Sequence, residues 1–155
     1  MFQLLHFQIF FFIQHNPNFS FIVEDLKQIG SEITADWKLE ESSSLGIGEM
    51  WATVSHKDGI IMPHINSFGF LYGMFFVSTP PESGYLKLEN SVYDKSYYQN
   101  FAARDITQFN VPTFITAIPE GSYCIFPSHV PSQITSNNTE EDRIIIHFIL
   151  KVLDK

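Results

Sequence analysis

From Gly46 onward the sequence is a succession of short β-rich runs cut by turn clusters, and this pattern limits the possible folds more than any other feature. The runs lie near residues 49–55, 60–62, 68–78, 85–89, 113–118, 122–126, 133–136 and 143–152. The breaks are Lys57-Asp58-Gly59, residues 80–84, Pro119-Glu120-Gly121 and residues 137–142. Short strands at such spacing predict a sandwich or barrel. About eight of them, with one long connection, suit a double-sheet jelly roll. The connection is residues 91–109, rich in Tyr and Asn, with room for a binding loop or a short helix.

Upstream, Asn16-Pro17-Asn18 signals a turn. Residues 19–34 then carry Phe21, Ile22, Leu26, Ile29 and Ile33 at spacings near three and four, which predicts an amphipathic helix. Ser20 is its candidate N-cap, and Gly30 a point where it ends or weakens. Residues 40–44 read as a polar connection. Residues 1–15 are apolar but interrupted by Gln3, His6, Gln8 and Gln14. They lack a basic leader and a small-residue cleavage site, and are too short to cross a bilayer. We expect a first core strand there, or an edge strand; a membrane-surface segment is the alternative.

Composition narrows the partners. The 155 residues suit one domain, 1–155, with residues 46–150 as its β core and 19–34 as a supporting helix. Charged residues are 17 %, below the usual ~25 %. Net charge is −8 with no basic cluster, which argues against nucleic acid. One cysteine, Cys124, rules out an internal disulfide. No neighbour of Cys124 would lower its pKa, so it reads as a core residue. The expectation is a cytoplasmic protein that meets a small molecule or a protein substrate, and neither nucleic acid nor membrane.

P-loop, Rossmann, zinc-finger and nucleophile-elbow patterns are all missing from the sequence. One stretch offers chemistry: residues 60–80, IIMPHINSFGFLYGMFFVSTP, where His64 and Asn66 stand two apart. In a strand such residues share a face, with Phe68, Phe70 and Tyr72 following if parity holds. Two polar side chains on one strand face can offer two ligands to one metal ion, or can simply be polar residues at a strand end.

Three segments together are more specific. PHIN and FLYGMFFVSTPPESG are followed by EGSYCIFPSHVPSQI and then by RIIIHFI. In order and spacing they resemble the small 2-oxoglutarate–Fe(II) oxygenases, whose pattern runs H-x-D or H-x-H, then YYxxxP…SG, then FPSxxxH, then R-x-S. The resemblance spans residues 48–149. It implies a double-stranded β-helix fold, Fe(II) and 2-oxoglutarate as cofactors, and hydroxylation of a substrate. By position, His64 resembles the first metal ligand and Asn66 the second. Ser132, fifth after Pro127, stands where the distal His belongs, and Arg143, eleven further on, stands where 2-oxoglutarate is anchored.

The departures from that pattern carry as much weight. Asn66 is a neutral amide where a carboxylate is usual, Ser132 is a hydroxyl, and Ile145 replaces a Ser beside the Arg. Such a set binds a divalent ion weakly. A cupin-like binding or interaction module without the metal is therefore the alternative function. His129 reads as an exposed loop residue. His147, four residues after Arg143, shares its strand face, as a core histidine or as a replacement ligand. A buried Arg143 needs an anionic partner, and without an acidic side chain it implies an anionic ligand.

Overall fold

The computed structural model describes residues 7–40, 43–89, 113–117 and 119–154. The strands are β1 (Phe7–Phe11), β2 (Ser43–Ser55), β3 (Ile61–His64), β4 (Leu71–Ser78), β5 (Leu86–Glu89), β6 (Thr113–Thr116), β7 (Tyr123–Pro127), β8 (Ser132–Ile134) and β9 (Arg143–Asp154), with one α-helix, α1 (Ser20–Asp36). They form a five-stranded sheet, β1-β2-β9-β4-β7, facing a four-stranded sheet, β3-β8-β5-β6. All described pairings are antiparallel. This is the expected double-stranded β-helix with its helix on one side. The connection at 91–109 lies outside the described residues.

The middle of the five-stranded sheet, around β9 and β4, is buried on both faces, which explains why these strands do not alternate apolar and polar. On β9, Ile146, Phe148 and Leu150 face outward and pack with Met50, Ala52 and Leu71 under Ile22 and Leu26 of α1. Ile145 and Ile149 face inward and meet Tyr72, Met74, Phe76, Phe126 and Ile134 between the sheets. Arg143 and His147 share this inward parity.

Helix α1 buries a stripe at spacing four, Ile22, Leu26 and Gly30. Gly30 neither ends nor interrupts it. A Cβ at Gly30 would come within 3.2 Å of the Leu45 carbonyl oxygen, so the glycine lets helix and sheet approach closely. Phe21 falls outside the stripe and is exposed. Ser20 is the first helical residue instead of the cap. The N-cap is Phe19, which makes no side-chain cap bond. The chain is turned into the helix by a 3-10 turn at Pro17–Phe19, where the Asn16 side chain accepts from Asn18 N. Tyr123 on β7 donates to Asp25 at 2.9 Å, tying helix to sheet.

Residues 41 and 42 are outside the described set, and β2 already begins at Ser43. Strand β1 is an edge strand, paired to β2 from Phe7↔Ser55 to Phe11↔Trp51. Among the described residues, no helix is long and apolar enough to cross a membrane.

Candidate functional site

A cavity of about 400 Å³ opens between β2, β3, β4 and β9. Ile60, Ile61, Met62, Pro63 and Trp51 supply its apolar lining. Its polar lining is Thr53, His64, Asn66, Tyr72 and His147. Strand parity explains the convergence: Trp51 and Thr53 on β2, Tyr72 on β4 and His147 on β9 all point inward.

His147 is the centre of a closed hydrogen-bond set. Its Nδ1 lies 2.6 Å from the Tyr72 hydroxyl and its Nε2 lies 2.9 Å from Thr53 Oγ1. The Trp51 ring stacks on it, with centroids 5.3 Å apart and planes within 10°. The side chain is buried, and burial pushes its pKa from the ordinary 6.5 down to about 3, with smaller contributions from His64 and Arg143. His147 is therefore neutral at physiological pH, with one ring nitrogen donating and the other accepting. Burial also raises the Tyr72 pKa, so that hydroxyl keeps its proton.

His64 is arranged differently. Its Nδ1 donates to the Met62 carbonyl oxygen at 2.9 Å, which leaves Nε2 as a free lone pair. The ring meets Tyr72 edge-on at 5.8 Å. Asn66 stands beyond the end of β3 and interacts with the Tyr72 hydroxyl, which opposes the burial effect on the Tyr72 pKa; its buried Nδ2 makes no hydrogen bond of normal geometry among the described residues. His64 and Asn66 thus line one cavity, while Phe68 and Phe70 do not continue on that side. Phe68 is 84 % exposed in the turn after β3. Phe70 packs on Trp37 and the helix-side core. The turn at residues 65–70 breaks the strand parity that the sequence suggested.

Ser132 is the cross-strand partner of His64 in the β3–β8 pair, which sets their Cα atoms roughly 5 Å apart. Its hydroxyl is buried without a partner among the described residues, and Ser132 is not among the residues lining the cavity. Arg143 is not among them either. It points inward and is buried, but Nη1 donates to the Ser83 carbonyl and to that of Thr135 at 2.8 Å, and Nη2 donates to that of Gly59 at 3.2 Å. Burial lowers its pKa to about 10, so it stays cationic. The Ser83-Gly84 pair is shaped for this guanidinium. Gly84 has φ of +109°, and a Cβ there would sit 2.7 Å from Arg143 Nη1. His129 is exposed in the turn after β7.

The sequence reading missed Trp51 and Thr53 as site residues, and it placed Tyr72 on the face of His64 and Asn66 without giving it a role. Their separation from His147 in the chain leaves no local signal; only the shared inward parity could have pointed to them.

Antiparallel sheets closed around an interior cavity at one end define the class: a double-stranded β-helix of the cupin and oxygenase kind. The family model for 2OG-Fe(II) oxygenases matches residues 49–148, and the chain belongs to that family. An oxidoreductase of the 2OG-Fe(II) oxygenase family from Burkholderia pseudomallei superposes with a TM-score of 0.64 at 10% identity, covering 88% of this chain and 59% of its own. A Pseudomonas putida prolyl-4-hydroxylase gives 0.64 at 12%, covering 94% and 71%. HygX from Streptomyces hygroscopicus, solved with nickel and 2-oxoglutarate, gives 0.63 at 9%, covering 95% and 70%. These likenesses show the fold. The chain spans less than two thirds of the Burkholderia protein's length. No curated protein sequence matches the chain.

The site's donor set does not fit the iron centre that the family implies. Such a centre takes two His and a carboxylate on one face of the metal. Among the described residues, no three His, Cys, Asp or Glu side chains converge. Around the cavity, His64 alone offers an imidazole nitrogen without a protein partner, because both nitrogens of His147 are hydrogen-bonded. Asn66 adds an amide, and Ser132, outside the cavity lining, only a hydroxyl, neither of them anionic.

Proposed function

We propose that the chain is a binding member of the 2OG-Fe(II) oxygenase family that uses the cavity for a small molecule and works without iron. The observation that carries this reading is the closed Thr53–His147–Tyr72 set. It commits the second imidazole of the cavity to the protein and, among the described residues, leaves one His without an anionic co-ligand. Arg143 supports the same reading, since its outer nitrogens are committed to main-chain carbonyls.

Calorimetric titration with Mn(II), a redox-stable substitute for Fe(II), in the presence of 2-oxoglutarate tests it. We expect no saturable binding, and a measurable gain in the Asn66→Asp/Ser132→His double variant, which restores an anion and an imidazole. Stoichiometric iron retained after mild chelation, together with succinate formed from 2-oxoglutarate, would refute it.

One observation favours a second reading, a hydroxylating dioxygenase on an unidentified substrate. His64 is held through Nδ1 by a main-chain carbonyl with Nε2 free, which is how protein shells orient a metal-ligating imidazole. Succinate production by the unmodified protein would select it. Under either reading the partner is a small molecule or a protein, because the net charge of −8 disfavours nucleic acid.

A further inference from the structure

The polar atoms of the cavity divide into those already used and those still free. His147 uses both ring nitrogens on Tyr72 and Thr53, so these three groups satisfy one another. Two atoms remain, both at the β3 end. Asn66 Nδ2 is a buried donor that interacts with the Tyr72 hydroxyl but makes no hydrogen bond of normal geometry among the described residues, and His64 Nε2 is an acceptor because Nδ1 carries the proton given to Met62. They belong to residues two apart in sequence that line the same cavity. A buried donor without a partner costs about 1–3 kcal/mol, so a ligand that accepts from it is favoured.

Charge then selects the ligand class. Among the described residues, no Lys, Arg, Asp or Glu lines the cavity, and His147 is held neutral. A carboxylate would accept from Asn66, but its second oxygen would face the His64 lone pair. A cation would find no anion. Ile60, Ile61, Met62 and Trp51 favour an apolar body. The volume of about 400 Å³ lies within the usual range for small-molecule sites.

We propose that this cavity binds a neutral ligand bearing a carboxamide-type edge, its carbonyl accepting from Asn66 Nδ2 and its N–H donating to His64 Nε2, on a flat apolar body beside Trp51. The proposal rests on the iron-free reading above.

Benzamide and benzoate test it, because they share a shape and differ in charge and in the donor. The chain has two tryptophans, so a Trp37→Phe background leaves Trp51 as the only one reporting by fluorescence. At pH 8 we expect benzamide to change Trp51 emission saturably and to bind at least tenfold more tightly than benzoate. Asn66→Leu and His64→Phe, each checked for an unchanged circular dichroism spectrum, should each weaken benzamide at least fivefold. Equal or tighter benzoate binding, no response to benzamide up to its solubility, or full affinity in both variants would overturn the proposal. The Mn(II) titration on the same protein separates the two readings: a silent benzamide with no Mn(II) binding removes this inference alone, whereas tight Mn(II) binding removes the iron-free reading beneath it.

Discussion

Protonating His147 should dismantle the centre of the site, and the structure gives the size of the effect. Folding lowers its pKa from 6.5 to about 3, chiefly by burial. In the unfolded chain the ring takes up a proton near pH 6.5; in the folded chain it does not until about pH 3. Between these values the unfolded state binds more protons, so stability falls as pH falls. The stability tied to the neutral ring is fully present above pH 6.5 and is lost on the way down to about pH 3. The slope is about 1.4 kcal/mol per pH unit. From pH 6.5 to pH 4.5 the loss is about 3 kcal/mol, a large share of the roughly 5–15 kcal/mol that holds a typical domain.

His147→Gln isolates this effect, because Gln keeps a donor and an acceptor but does not titrate. At pH 7.5 the variant should be less stable by about 1–2 kcal/mol, from poorer geometry to Thr53 and Tyr72. Below pH 6.5 the gap should close by about 1.4 kcal/mol per unit, and the two curves should cross near pH 5.5. Urea unfolding followed by far-ultraviolet circular dichroism, at half-unit steps from pH 7.5 to 4.5, measures both curves. Titrations common to both proteins cancel in the difference. If the curves run parallel within about 0.5 kcal/mol over that range, His147 is not held neutral by folding and the reasoning fails.

Tyr72→Phe removes the partner of His147 Nδ1, and a buried orphaned nitrogen costs about 1–3 kcal/mol; thermal unfolding should show a lower midpoint, with the α1 and sheet signals retained. Gly84 and Gly121 both have positive φ, +109° and +76°, but a Cβ at Gly84 would sit 2.6 Å from the Thr135 carbonyl oxygen whereas nothing lies within 4 Å at Gly121. Gly121→Ala should therefore cost only backbone strain, about 1 kcal/mol, and Gly84→Ala clearly more, through displacement of Arg143; equal midpoints in urea for the two variants would contradict this.

Much of the fold was legible because turn chemistry survives without context. Lys57-Asp58-Gly59 and Pro119-Glu120-Gly121 mark chain reversals that the structure contains, with Asp58 and Gly121 at positive φ. Strand faces were harder to read. Residues 143–150 are almost all buried, since α1 covers one face of β9 and the second sheet the other, so hydropathy carries no parity there. The polar residues Arg143 and His147 supply it. At His64 and Asn66 the two-residue rule was carried past the end of β3 and still placed both in one cavity. Two residues further on, at Phe68, it failed, because the chain had turned. The partners of His147 were illegible: Thr53 is 94 positions away and Tyr72 is 75, and only the β2–β9 and β4–β9 registers join them.

Arg143 has partners that the chemical argument from sequence did not include. A buried guanidinium was expected to need an acidic side chain or an anionic ligand. That premise left out the main chain. At the end of the sandwich where β9 begins, the carbonyls of Gly59, Ser83 and Thr135 converge on Arg143, and all three belong to turns or strand ends. The Gly59 carbonyl also accepts from Asn137 N at 3.0 Å, and a carbonyl oxygen has two lone pairs, so a planar five-donor group can share these oxygens while they offset its charge. The compensation is local for Nη1 and Nη2, while the buried Nε has no hydrogen-bond partner among the described residues. It also reaches the cavity indirectly: the charge retained on Arg143 is one of the causes that depress the His147 pKa, together with burial and His64. A cation held by backbone dipoles thus helps keep the imidazole neutral, and a neutral His147 is what the hydrogen bonds to Thr53 and Tyr72 require.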